Sequence, residues 1–279
     1  MKLNRALLLA GAAAWLALGC NSSSTTTAST TPEAAVAVDE VAAANNDAAW
    51  SYAVADTFTD PFLAAIQIKH RPIPRQAVVV FDPVAAANTM AASAANYYSP
   101  SSCVTATANG AVATLKFNGC NGPVGLTELD GTLVATYSSS SAGPQFVLTS
   151  NGLTISGVPY DVNATGVISR NGNTRVVTLD STSVRSSSTA TRTWKGTVAW
   201  TKGNPCLTVN GTGTQTLNGS AYATTLNGYQ RCSGQCPTAG TLTSSGPNGG
   251  VATLTFNNSA TPGFTDSNGA NGAISISCP

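Results

Sequence analysis

The search for chemistry in this chain begins with its carboxylates, and they are few. Beyond residue 100 they are Glu128, Asp130, Asp161, Asp180 and Asp266. Glycosidic hydrolysis needs two carboxyl groups facing each other across a cleft, and none of the five has a neighbourhood that marks such a pair. Glu128-Leu129-Asp130-Gly131 and Asp266-Ser267-Asn268-Gly269 open like calcium loops but lack the later oxygen ligands of that pattern. Turn chemistry is the expectation for both. His70 is the single histidine. It lies in Lys69-His70-Arg71-Pro72, and a zinc site needs three or four converging ligands, so a solvated loop residue is expected there. The nucleophile-elbow, S-x-x-K, H-E-x-x-H and phosphate-loop patterns are all missing from the sequence. Trp194 and Trp200 have the surface to stack on a sugar, but core packing is the commoner use of two tryptophans on one strand face. No catalytic residue, metal or cofactor is assigned, and the chain is expected not to be an enzyme.

The remaining chemistry lies in seven cysteines. Cys20 stands at the end of the amino-terminal segment; without it six remain, an even number that suits disulfides in an oxidising compartment. Those six are Cys103, Cys120, Cys206, Cys232, Cys236 and Cys278, and they allow fifteen pairings. About a hairpin turn at Asn218-Gly219, Cys206 and Cys232 come within one residue of facing each other. Cys103 and Cys120 flank a hairpin at Asn109-Gly110, with a loop required to bring Cys120 back. Cys236 is then left for Cys278, with Cys232–Cys236 as the rival. A redox role for that C-x-x-x-C is not expected, because thioredoxin-like chemistry uses C-x-x-C at a helix start.

Residues 1–20 read MKLNRALLLAGAAAWLALGC. Lys2 and Arg5 precede an apolar run from Ala6 to Leu18 that is too short to span a bilayer and right for a signal peptide. The run ends in Ala17-Leu18-Gly19-Cys20, which resembles the lipobox of bacterial lipoproteins. That resemblance implies cleavage before Cys20 by signal peptidase II, acylation of Cys20, and a membrane anchor. Ala stands where the family usually has Leu, and Ala17 with Gly19 would also serve signal peptidase I at the same bond. Asn21 after the cysteine implies, by the same resemblance, outer-membrane sorting, periplasmic or surface facing. Residues 21–31, NSSSTTTASTT, read as a flexible tether.

The elements that must position these residues follow from two textures. An Ala-rich region over 33–100 carries helix signals: Asp60-Pro61 and Asp82-Pro83 each place a capping residue before a first-turn proline. Val84, Ala87, Ala91, Ala94 and Tyr98 form one stripe, closed by Pro100, and Trp50, Val54 and Phe58 mark a second helix within 33–58. Packing against a sheet is the expected use of these stripes; a ligand lid is the alternative. From 101 to 279 Thr, Ser and Asn alternate with apolar residues, and eleven Asn-Gly dipeptides at 109, 118, 121, 151, 171, 210, 218, 227, 248, 268 and 271 punctuate the run. Asn-Gly suits the type I′ hairpin turn, and period-two alternation is the strand signal. The prediction is mainly β: a large antiparallel meander of around ten to twelve strands, open, curved or barrel-like, with N-terminal helices on its apolar face. Trp194, Val198 and Trp200 should face the core with Thr191, Thr193, Lys195, Thr197 and Thr201 outward; Leu133, Ala135 and Tyr137 should repeat this against Thr132, Val134 and Thr136. The domain order is thus a signal peptide (1–19), a lipidated Cys20 with tether (20–32), the helical segment (33–100) and the disulfide-stapled β domain (101–279).

Within that β domain, Cys103 to Thr107, Phe117 to Leu126 and Gly228 to Pro237 resemble segments of uncharacterised lipoproteins of Gram-negative bacteria. The resemblance implies a shared β fold and disulfides and carries no activity. With 9% charged residues and a net charge of +1, no strong field draws the chain to nucleic acid. The leading expectation is an envelope-anchored lipoprotein with a non-enzymatic structural or interaction role. The alternatives are a carrier holding a lipid or other hydrophobic molecule between sheet and helices, and, further off, a hydrolase. The protein, glycan or lipid partner is not specified by any motif. An integral outer-membrane barrel is not expected, because polar residues occupy both strand faces and the chain ends Ser277-Cys278-Pro279 without a terminal aromatic.

Overall fold

The computed structural model describes residues 31–56, 81–123, 126, 128–185 and 190–276. Cys20, the signal segment, Phe58, the Asp60-Pro61 cap, His70 and Cys278 lie outside the described residues. Helix α1 spans Pro32–Asp56 and α2 spans Pro83–Ser93. Thirteen strands follow: β1 (Val104–Asn109), β2 (Val112–Cys120), β3 (Leu129–Ser140), β4 (Gly143–Ile155), β5 (Val158–Asn171), β6 (Thr174–Arg185), β7 (Ala190–Thr201), β8 (Cys206–Leu217), β9 (Ser220–Cys232), β10 (Ala239–Ser245), β11 (Val251–Thr255), β12 (Gly263–Asp266) and β13 (Asn271–Ala273). They form one antiparallel sheet in sequence order. β1 and β13 are its two free edges, so the sheet is open and is not a closed barrel.

The Asn-Gly pattern found the meander but not always its turns. Of the Asn-Gly dipeptides among the described residues, only Asn218-Gly219 is a hairpin turn with both residues at positive φ, as type I′ requires; Ser156-Gly157 makes the same turn without an asparagine. At Asn109 and Asn171 the asparagine is the last strand residue and only the glycine enters the turn. Gly119, Gly152 and Gly228 lie instead inside β2, β4 and β9, at positive φ, where the pairing register shifts. These are β-bulges, which bend a strand and increase its twist.

The bending shows in the packing. Trp50 meets Phe117 of β2 at 6.2 Å between ring centroids, while Tyr52 meets Trp200 of β7 at 5.5 Å. β2 and β7 are five strands apart, about 24 Å in a flat sheet, yet two residues within a single turn of one helix reach both. The sheet therefore curls around α1. That helix also contacts β6 and β8 to β11, and from Glu40 to Ala55 every residue is buried or half-buried. Its Ala and Val side chains carry almost no amphipathic bias, as suits a helix covered on all sides. Thr31 caps it, accepting from the Ala34 amide at 3.3 Å, with Pro32 in the first turn.

The predicted faces hold: Trp194, Val198 and Trp200 are buried, as are Leu133, Ala135 and Tyr137. On the outer side, threonines of neighbouring strands satisfy one another, as between Thr193 and Thr214 at 2.8 Å. α2 is capped as expected, with Asp82 Oδ1 accepting from the amides of Val84 (2.9 Å) and Ala85 (3.2 Å). Its buried stripe differs from the predicted one. Ala86, Ala87 and Met90 are buried in the helix, and Ala94 and Tyr98 beyond it, whereas Val84 is 46% exposed and Ala91 half-buried. The helix ends at Ser93, before Pro100, and a 3₁₀ turn over Ala94–Asn96 rotates the chain so that Tyr98 reaches Phe117.

Two disulfides staple the sheet. Cys206 and Cys232 are direct cross-strand partners, with Cα atoms 3.9 Å apart. Cys103–Cys120 closes the β1–β2 hairpin, and the loop that brings Cys120 back is the Gly119 bulge. Cys236 is also disulfide-bonded; its expected partner Cys278 is outside the described residues.

Candidate functional site

The functional chemistry of the described residues concentrates on the seam between α1 and the sheet. Glu33, Glu40 and Asp47 recur every seven residues along α1, which returns a side chain to nearly the same helix face after two turns. Facing them, one cross-strand row on the inner side of the sheet runs Ser183, Arg192 and Gln215. Arg192 shares strand parity with Trp194, so the β7 alternation turns it inward.

Arg192 holds both acids. Its Nε and Nη2 donate to the two Glu40 oxygens at 2.8 and 2.6 Å, and its Nη1 donates to Asp47 Oδ2 at 2.6 Å. Ser181 Oγ adds a donor to the same Asp47 oxygen at 3.2 Å, and the guanidinium lies 5.6 Å from the Trp194 ring centroid. Exposures of 5% for Arg192, 0% for Glu40 and 2% for Asp47 make this a dry triad. Burial works against the charged guanidinium, but the two carboxylates outweigh it and raise the Arg192 pKa. Tyr160 is beside them. Burial first, and the Asp47 charge second, push its phenol up; Ser183 and Asn46 are adjacent, but its hydroxyl makes no well-formed hydrogen bond.

Around the triad the seam continues. Asp39 accepts from Arg185 at 3.0 Å and Gln215 at 3.4 Å. Tyr229 donates to Asn45 Oδ1 at 2.7 Å, and burial raises its pKa. Glu33 packs on Gly246 and Gly250 of the β10–β11 loop, where a Cβ would collide with its carboxylate. A small open cleft in this seam has a volume of about 20 Å³ and is lined by Asp39, Ala43, Tyr160, Ser183, Arg185, Ala190, Arg192 and Gln215. That volume is room for about one water molecule.

The arrangement is suited to holding a helix in place. Two carboxylates in catalysis need a groove with substrate access; Glu40 and Asp47 are buried and bound to one arginine. None of these residues was singled out in the sequence, although the seven-residue acid spacing and the parity of Arg192 were both available to find them.

The candidates that were singled out do not converge. Asp130 Oδ1 accepts from the Gly119 amide at 2.8 Å, bracing the bulge. Asp266 Oδ1 accepts from the amides of Asn268 and Ala270, both at 2.9 Å, so it closes its own turn as expected. Asp180 pairs with Lys195 on the outer face at 2.9 Å. Trp194 lies under the sheet with its ring over Gly196, Gly211 and Gly213. Among the described residues no three His, Cys, Asp or Glu side chains group as metal ligands, and no helix is long and apolar enough to cross a membrane.

No known family model matches this chain, and no curated protein or solved structure shows significant similarity to it.

Proposed function

We propose that the protein is an envelope lipoprotein, anchored through Cys20, whose β domain has a structural or interaction role and presents its outer sheet face to a partner. The observation that carries this reading is that the curled sheet is filled by its own helix. A carrier for a drug-sized or acyl ligand needs an apolar cavity of about 300–1,000 Å³, whereas the cleft at the seam between α1 and the sheet has a volume of about 20 Å³ and α1 is buried or half-buried from Glu40 to Ala55. What remains available is the outer face, a field of Thr, Ser and Asn side chains with the Asp180–Lys195 pair at its centre. The disulfides support an oxidising compartment.

The test is fractionation of cells expressing the chain and its Cys20→Ser variant. The wild-type chain should sediment with the outer membrane and begin at an acylated Cys20, and the variant should be released from the membrane as a folded chain. Recovery of the wild type in the cytosol with residues 1–19 attached would refute the proposal.

A further inference from the structure

The seam between α1 and the sheet opens to solvent beside Asp39 and Arg185, which are 33% and 30% exposed. Two cross-strand rows on the inner face form its floor there. One runs Tyr160, Arg185 and Ala190, and the next runs Ser183, Arg192 and Gln215. Ala190 and, on α1, Ala43 are too small to fill the gap between helix and sheet, which is the open cleft of about 20 Å³.

Two oxygen atoms that line this cleft are left unmet. Gln215 is 4% exposed, and its Nε2 donates to Asp39 Oδ2 at 3.4 Å. That bond fixes which end of the amide faces the carboxylate, and the buried Oε1 at the other end accepts nothing. Tyr160 is 5% exposed, and its hydroxyl also lacks a well-formed hydrogen bond. Buried polar atoms are rarely left so, and two at one cleft point to a bound group. Charge says which kind. Arg185 is committed to Asp39 at 3.0 Å, and Arg192 to Glu40 and Asp47 at 2.6 Å each. Among the described residues of the seam, three carboxylates thus share two guanidiniums, and a negative charge held out of bulk water calls for a counter-ion. Water would meet the orphan oxygens but leave that charge in place, and an anion would add to it.

We infer that the cleft is a binding site for one monovalent cation, an alkali ion held by the Asp39 carboxylate, Gln215 Oε1 and the Tyr160 hydroxyl, with Ser183 beside them. Asp39 is the only carboxylate that lines the cleft, so the oxygen set suits a single charge; calcium sites draw on several carboxylates. A volume near that of one water molecule admits a bare ion and excludes an organic cation. The ion sits at the mouth of the seam, outside the packed interior, and ties α1 to β5 and β8. The site does not depend on acylation of Cys20.

The test is denaturant titration of the full chain at one ionic strength, in a concentration series of sodium or potassium chloride balanced with choline chloride. An ion that binds only the folded chain stabilises it by mass action. At ten times its dissociation constant, the folding equilibrium constant should be about tenfold higher than in choline alone. The more effective of the two ions assigns the size the site prefers. Gln215→Leu and, separately, Tyr160→Phe should bring that ratio down toward one. Each variant is compared with itself in choline, so a loss of stability from the substitution does not enter the ratio. Asp180→Asn, at the exposed pair on the outer face, should keep the wild-type ratio. Equal stability in all three salts throughout the series would overturn the site and leave the cleft to water. An undiminished ratio in Gln215→Leu would overturn it as well, since the ion would then bind elsewhere.

Discussion

At the scale of single residues, Arg192 matters most. Removing it leaves Glu40 and Asp47 buried without a counter-charge, so Arg192→Met should cost roughly 3–5 kcal/mol in a denaturant titration. Replacing all three together, by Arg192→Met, Glu40→Leu and Asp47→Leu, should cost less than that single change, because no charge is then stranded. A triple variant less stable than the single would show that the ion cluster contributes net stability. Lys195→Ala tests the opposite case: its partner Asp180 is 56% exposed, so the change should leave the denaturation midpoint essentially where it is. The buried phenols set an alkaline limit. Burial raises the pKa of Tyr98, Tyr160 and Tyr229 above the value of about 10 that tyrosine keeps in an unfolded chain. The stability this contributes is complete below about pH 10 and is lost as pH rises through the folded-state values. Phenolate absorbance and circular dichroism, followed together, should show these three tyrosines ionising only as the fold opens. The residue-level signal for the seam was present in the sequence but divided between distant segments. Glu40 and Arg192 are 152 positions apart, and neither helix spacing nor strand parity alone says which acid meets which base.

At the scale of elements, capping and alternation were legible because they are local. Asp82-Pro83 gave the start of α2, and Asp82→Ala should cost about 1 kcal/mol by loss of that cap. The buried stripe of α2 was misplaced at Val84 and Ala91, where Ala86 and Met90 are buried instead, since the face that a helix buries is chosen by β1 to β3 against it. Asn-Gly was ambiguous for a physical reason: a glycine at positive φ serves a two-residue turn and a bulge equally well, and only the partner strand decides between them. Close packing over glycine was not legible at all. Phe146 lies across Gly166, its direct cross-strand partner, where a Cβ would enter the ring. Gly166→Ala should therefore destabilise by about 1–3 kcal/mol, the usual cost of overpacking, as measured by thermal melting.

At the scale of the whole molecule, the sequence announced a meander, and the faces of its strands, but not that the sheet would curl around α1. Curling follows from where the bulges fall and from a helix small enough in side-chain volume to lie inside, neither of which period-two alternation encodes. The consequence is an interior occupied by the chain's own Ala-rich segment and locked by Arg192. The claim that this interior is self-filled is tested most directly by native mass spectrometry of the protein purified without denaturation from the cells that express it. The mass should equal that of the chain itself, with its disulfides intact and nothing further bound in the interior. A stoichiometric lipid or other apolar molecule, held non-covalently and released on unfolding, would contradict the account.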